Sequence, residues 1–234
     1  MKEEEIESRR RFLLQLLAGG AFFLGGSSRV RADVFGRTPG PLPSGRSIYR
    51  LSGKAMVNGK EADEATVIRA GDTVETGSDG EAIFAVGPDA FLVRANSRVT
   101  LEGHDEFLVV SMRVLTGAIL SVFGRREHRI ETANALVGIR GTGVYVEAEE
   151  KMSYVCTCYG ETLLSVQGAP ERSEAIRSRH HDAPRYIYGG SNGGIEPAPF
   201  KNHTDAELSI IEALVGRTPP FSFLTPGRSG DGRY

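Results

Sequence analysis

The chain has two cysteines close together, and histidines follow them in its last third. Cys156 and Cys158 are separated by one residue in an apolar run that is typical of a β-strand. Alternate side chains of a strand point to the same face, so both thiols would lie side by side. Two thiols on one face suit a soft or borderline metal such as Zn²⁺ or copper, which requires further ligands. The sequence offers imidazoles for this purpose at His180, His181 and His203.

Three interpretations of the cysteine pair are open from the residues alone. In an extended strand the two Cα atoms would be about 6.5–7 Å apart, which is the upper limit for a disulfide. This spacing favours two separate thiols, available for metal or redox chemistry. A strained disulfide in an oxidising compartment is the second interpretation, and two small buried core residues are the third. His203 also has an alternative role, as the residue that precedes a helix cap.

The second notable stretch is the apolar, β-branched run 135–146, which is interrupted by glycines and by Arg140. It predicts a strand that bends sharply at the glycines and then continues. An arginine between apolar strand residues needs a partner if it is buried. We expect Glu131, Asp72 or the turn carbonyls to supply that partner, so that Arg140 has a structural role in holding the bend; ligand binding by Arg140 is the alternative.

Sequence motifs for catalysis and nucleic-acid binding are not evident. No segment is predicted to form a hydrolase nucleophile elbow, a phosphate-binding loop or a zinc-protease helix. The glycines at 138–143 lack both the spacing and the following helix of a dinucleotide-binding loop. The formal net charge is −2 and there is no basic block, so a nucleic-acid partner is not expected. We therefore predict a protein that is not an enzyme.

The first 32 residues have the pattern of an export signal. Consecutive arginines at 9–11 precede a moderately apolar, glycine-rich stretch at 13–26, and Ala32 ends a short cleavage-site pattern. The paired arginines resemble a bacterial Tat signal. A cytosolic amphipathic helix is the alternative, and the apolar stretch is short for a membrane anchor. We expect cleavage after Ala32, a periplasmic location and no stable membrane span in the mature chain.

The rest of the chain divides into three parts by pattern. A proline- and glycine-rich leader at 33–46 precedes short strands with frequent turns at 47–168, including the hairpin signals Asn58-Gly59 and Asp79-Gly80. This spacing fits an all-β sandwich, barrel or solenoid. The C-terminal extension at 169–234 contains one predicted amphipathic α-helix, 205–215, which would dock on the β domain. Its cap signals are Thr204 and Glu207 at the start and Gly216 at the end.

An ordered set of short motifs within residues 47–166 resembles the FecR-type domain. The matching pieces, in chain order, are 69–77, 80–82, Leu101, Gly117, 132–133, 137–142 and 160–163. The resemblance implies an all-β, solenoid-like fold that works outside the cytoplasmic membrane. The regulators of that family also carry an anti-sigma segment and a membrane helix. A cleavable signal is expected in their place here, so the resemblance implies the domain without the sigma-regulating function.

Two functional hypotheses follow from these observations. The first is an exported, non-enzymatic FecR-type module that binds a protein or glycan of the cell envelope, in a sensory or scaffolding role. The alternative is a periplasmic protein that binds Zn²⁺ or copper through Cys156, Cys158 and one or more of the C-terminal histidines.

Overall fold

The structure is a computed structural model of the chain, and it describes residues 39–221. The predicted signal at 1–32, the leader up to residue 38 and the tail from 222 lie outside the described residues. The described part contains fourteen β-strands and one helix, α1 (Asp205–Leu214). The strands are β1 (Ile48–Ser52), β2 (Ala55–Val57), β3 (Lys60–Glu61), β4 (Thr73–Thr76), β5 (Glu81–Val86), β6 (Asp89–Val93), β7 (Arg98–Asp105), β8 (Leu108–Val122), β9 (Glu127–Glu131), β10 (Ala135–Ala148), β11 (Met152–Val166), β12 (Ala169–Ser178), β13 (Arg185–Tyr188) and β14 (Gly194–Pro197).

All fourteen strands join one sheet, which confirms the all-β prediction. Most neighbouring strands are antiparallel, including the β10–β11 and β11–β12 hairpins, and the described strands have one parallel pairing, between β8 and β9. The solenoid-like alternative is wrong, because a β-solenoid stacks corresponding strands of successive coils in parallel, whereas here the chain folds back on itself at each turn. The larger apolar cluster includes residues from Ile48 in β1 to Ile187 in β13, so this one large sheet supplies the core.

The two hairpin signals have different outcomes. Asn58-Gly59 forms the β2–β3 hairpin, with a positive φ at both residues, as a type I′ turn requires. Asp79-Gly80 is a turn but not a hairpin, because β4 pairs with β2 and β7 while β5 pairs with β1 and β6. Gly80 is needed there for another reason: a Cβ would lie 2.2 Å from the carbonyl oxygen of Lys54.

Five strands are buried on both faces over part of their length: β5, β6, β8, β10 and β11. One face contributes to the large cluster, and the other faces a second cluster that includes the cysteines and the apolar side of α1. The sequence of these strands is accordingly a continuous apolar run rather than an alternating one. The helix packs on β5, β6 and β8 through Leu208, Ile211 and Leu214. Its predicted capping box is present, with Thr204 as N-cap and Glu207 as its partner.

The predicted bend lies within β10. Its first half pairs with β9 and its second half with β8, and the pairing register shifts between Arg140 and Val144. Gly141 at the shift has a φ of +56°. No helix within residues 39–221 is long and apolar enough to cross a membrane.

The expectation about Arg140 is wrong in its detail. The side chain is exposed, so it needs no buried partner. Both carboxylates that were expected to pair with Arg140 have other partners. The side-chain amide of Gln167 donates to Glu131, and that of Asn58 donates to Asp72. Because strand side chains alternate, Arg140 points away from the core, between its cross-strand neighbours Glu127 and Glu161.

Candidate metal centre

The two cysteines lie in β11, near the middle of the strand. Cys156 and Cys158 share a face with Tyr154 and are fully buried in the cluster beneath α1. Both are free thiols. Their common orientation is the direct result of the period-two alternation of a strand, as the sequence predicts.

His181 approaches the cysteines from the turn between β12 and β13. Its backbone N–H donates to the carbonyl oxygen of Cys158 at 2.9 Å, and its φ of +55° lies in the sparsely populated left-handed region. The Asp182 carboxylate holds the turn by accepting the N–H of Arg179 at 2.6 Å. The ring is thereby directed inward, with Nδ1 at 3.5 Å from Cys156 Sγ and only 7% of the side chain exposed.

His203 approaches from the segment that leads into α1. Its ring stacks on Tyr145 with centroids 4.4 Å apart, and the residue is 3% exposed. Nδ1 lies 2.8 Å from the carbonyl oxygen of Lys201 and must donate to it, so Nε2 carries the free lone pair. That Nε2 is 3.4 Å from Cys158 Sγ and 3.1 Å from His181 Nδ1.

These four side chains form what we call the inner cluster: Cys156, Cys158, His181 and His203. Their ligand atoms all lie within 4.8 Å of one another. In a tetrahedral zinc site, bonds of about 2.0–2.3 Å place nitrogen ligands about 3.3 Å apart and sulfur about 3.6 Å from nitrogen. The observed distances are 3.1 Å for the nitrogen pair and 3.4 and 3.5 Å for the two sulfur–nitrogen pairs. These three of the six ligand–ligand distances match one tetrahedral ion of that size, and the other three lie within the 4.8 Å bound.

The surroundings of the inner cluster shift the pKa values of its two thiols in opposite directions. The Cys158 thiol and the imidazoles of His181 and His203 lower the pKa of Cys156 to about 4, against the opposing effect of burial. Burial and the charge on Cys156 raise the pKa of Cys158. Burial alone would lower the pKa of His181, but its bonds to Cys156 and Asp205 outweigh burial and raise it. Cys156 is thus the more acidic thiol of the pair.

The fifth predicted ligand, His180, does not join the inner cluster. Its Nε2 lies 2.9 Å from both carboxylate oxygens of Asp205, and its side chain is 41% exposed. The Asp205 carboxylate also lies 3.0 Å from His181 Nε2. The sequence had not predicted a role for Asp205. The available signal was its position two residues after His203, but an acidic residue in the first turn of a helix is ordinarily explained by the helix dipole.

Two arrangements resemble catalytic sites and fail on geometry. Cys156, His181 and Asp205 are placed like a nucleophile, base and orienting acid, but Cys156 is 0% exposed and offers no access to a substrate. The prediction of no hydrolase motif needs correction, since residues 189–193 read Gly-Gly-Ser-Asn-Gly. That segment joins β13 to β14, whereas a nucleophile elbow joins a strand to a helix.

Comparison with known proteins gives the chain no family. No protein-family model matches it, and no curated protein matches it. Among solved structures it is similar to two crystal structures of a protein from Parabacteroides distasonis that is named as an anti-sigma factor, at 15% and 16% identity. Both have a TM-score of 0.43 and cover 54% of this chain, which spans 58% of that protein. The FecR-type resemblance therefore stays a prediction from the sequence.

Proposed function

We propose that this chain is a non-enzymatic binding module, exported to the periplasm, that holds one transition-metal ion in the inner cluster. One observation carries the proposal: four ligand atoms of the right chemistry, from three separate chain segments, converge on one point within a buried, largely apolar site. Buried polar groups are costly unless they are satisfied, and a metal ion satisfies all four at once.

Zn²⁺ is the ion that the donor set fits best. Two thiolates and two neutral imidazoles neutralise its charge, and a closed set of four protein ligands is typical of structural zinc. Each histidine has an outer hydrogen-bond partner that orients its ring: Asp205 for His181 and the Lys201 carbonyl for His203. Copper shares the preference for thiolate and imidazole, and it is the other metal to be tested.

Elemental analysis of the full-length protein, produced without added metal, tests the proposal. We expect about one equivalent of zinc, with less than about a tenth retained by Cys156→Ser and by His203→Ala. His104→Ala, which alters an exposed histidine in β7, is the matched control and should keep its metal. Less than about a tenth of an equivalent in the unaltered protein would refute metal binding. One equivalent of copper instead would refute only the assignment of zinc.

Export is supported by the signal pattern of residues 1–32, with its paired arginines and the cleavage-site residues before Asp33. Mass spectrometry of the protein from a periplasmic fraction should give a mature N-terminus at Asp33. Full-length protein confined to the cytoplasm would overturn this part of the proposal.

A partner protein or glycan in the envelope is a second candidate function, favoured by one surface groove. The groove lies across β8 to β12, has a volume of about 690 Å³ and includes Leu163, which is 51% exposed. Charged residues of alternating sign cross its floor in register: Glu127, Arg140, Glu161 and Arg177. A photo-crosslinker at Leu163 should capture a partner in the periplasm, whereas one at Tyr49 in β1, outside the groove, should not. Equal labelling from both positions would count against the groove.

A further inference from the structure

The His181 ring has ligand nitrogens on two sides, and only one side belongs to the inner cluster. Nδ1 faces Cys156 and His203, while Nε2 faces Asp205 Oδ1 at 3.0 Å. Asp205 in turn lies 2.9 Å from His180 Nε2. The ligand atoms of His180, His181 and Asp205 all lie within 4.8 Å of one another. We call these three residues the outer group. It shares His181 with the inner cluster and lies immediately beside it.

The two donor sets differ sharply in exposure. Both cysteines are fully buried and His203 is 3% exposed, so water reaches the inner ligands poorly. The side chains of His180 and Asp205 are each 41% exposed, and the His181 side chain between the two sets is 7% exposed. The aromatic rings of Phe200 and Phe221 pack against the His181 ring and screen the sides of this approach. The most exposed ligand atoms that lead to the inner cluster are those of the outer group.

The donors of the outer group suit an exchangeable ion. Two imidazole nitrogens and one carboxylate, open to water, match the three-ligand pattern of zinc sites that keep a free coordination position. The carboxylate adds a negative charge where a hydrated cation first arrives.

We propose that the outer group is an entry site, which captures a divalent ion of the zinc type before it passes to the inner cluster. The inference rests on the proposed metal-binding function. When an ion occupies the inner cluster through His181 Nδ1, the ring proton lies on Nε2 and is donated to Asp205. Asp205 therefore serves first as a ligand during entry and then as the hydrogen-bond acceptor that orients His181. On transfer, the His181 ring loses its Nδ1 proton to solvent and takes one up at Nε2. Any protons still held by the two sulfurs leave to solvent as both coordinate as thiolates.

The competing explanation is that Asp205 only orients His181 and that His180 is an incidental neighbour. The two explanations differ in what they predict for His180. An entry site makes the rate of metal uptake depend on His180 but leaves the equilibrium affinity almost unchanged, because His180 does not touch the ion in its final position. An incidental neighbour affects neither quantity.

Metal-free, full-length protein is mixed by stopped flow with Zn²⁺ that is bound to a competing chromogenic chelator. The time course gives the association rate, and the final absorbance gives the equilibrium affinity. We expect His180→Ala and His180→Gln to slow association about tenfold, with the dissociation constant changed less than about twofold. Asp205→Asn should slow association and also weaken affinity by about 10–100-fold, since it removes the partner of a ligand. The exposed His104→Ala is the matched control and should leave both quantities unchanged.

Three outcomes would overturn the entry site while leaving the proposed function intact. One is an unchanged association rate in both His180 variants that bind zinc normally. The second is a loss of affinity in these variants through faster dissociation alone, which would make His180 a support of the inner cluster. The third is slowed association in His104→Ala as well, which would indicate a general charge effect. Failure of the unaltered protein to bind zinc would refute the proposed function itself, and the entry site with it.

Discussion

His181 and His203 present different ring nitrogens to the inner cluster, and in each ring a hydrogen bond to the other nitrogen sets the choice. His181 uses Nδ1 because Nε2 donates to Asp205, and His203 uses Nε2 because Nδ1 donates to the Lys201 carbonyl. Each imidazole is thus held with one defined ring nitrogen toward the thiols before any ion arrives. This arrangement lowers the conformational cost of coordination, because the rings need not be reoriented.

Arg140, also considered at the residue scale, is expected to contribute little to stability. We predict that Arg140→Ala changes the free energy of unfolding by less than about 1 kcal/mol, because exposed cross-strand charge pairs contribute about 0.2–1 kcal/mol. Urea denaturation measures this change.

Arg94→Ala is the comparison variant for that measurement. Arg94 bonds to Glu81, Glu207 and the Asn202 carbonyl, so it joins the sheet to the start of α1. Arg94→Ala should therefore lower the free energy of unfolding more than Arg140→Ala does. A loss of several kcal/mol in Arg140→Ala would show that this side chain does hold the bend in β10.

At the scale of elements, the segment before α1 is held on the sheet by Glu147 at the end of β10. The Glu147 carboxylate accepts from Lys201 at 2.6 Å, Asn202 at 2.7 Å and Tyr145 at 2.9 Å. Tyr154 adds a bond to the Pro199 carbonyl at 3.0 Å. Because His203 follows directly, this network positions a ligand that neither the strand nor the helix contains.

Glu147 also makes stability depend on pH. Burial raises the pKa of Glu147, but the bonds from Lys201, Asn202 and Tyr145 outweigh burial and lower it below the ordinary 4.5. The folded-state pKa is therefore depressed. The stabilisation is present above pH 4.5 and is lost as the pH falls through the lower folded value.

We expect Glu147→Gln to reduce the free energy of unfolding at pH 7 by about 1–3 kcal/mol, the typical cost of weakening a buried, charge-assisted network. The difference from the unaltered protein should shrink as the pH falls below 4.5, because the wild-type carboxylate then becomes protonated. Guanidinium denaturation at pH 7, 5 and 3 measures both effects. Glu150→Gln, at an exposed position after β10, is the control. A deficit that is independent of pH would contradict this account.

At the scale of the whole molecule, the inner cluster connects parts of the chain that are distant in sequence. Its ligands come from β11, from the turn after β12 and from the segment before α1. An ion held by all three would tie the C-terminal segment to the sheet and keep α1 over the second apolar cluster. Loss of the ion would then loosen this segment more than the large core.

Metal removal should accordingly lower thermal stability. Free zinc at about 100 times the dissociation constant stabilises a folded protein by about 2.7 kcal/mol. For a chain of this size that corresponds to a decrease in Tm of about 5–10 °C on chelation. Differential scanning calorimetry with and without a strong chelator measures the change. His203→Ala should show no response to the chelator, and an equal Tm for the loaded and chelated wild-type protein would refute a stabilising role for the ion.

The sequence by itself determined those features that depend on neighbouring residues. Cys156 and Cys158 share a face because a strand alternates, and α1 begins after its N-cap Thr204 and ends before Gly216 because its caps are local hydrogen bonds. The bend in β10 follows in the same way from its glycines. The tertiary structure alone decided how the strands pair, which excluded a solenoid, and which of two adjacent histidines faces inward. It also placed Asp205 beside His181, and Glu147 beside the segment that leads to His203. These features depend on contacts between segments far apart in sequence, and strand register and turn conformation set those contacts rather than any local pattern.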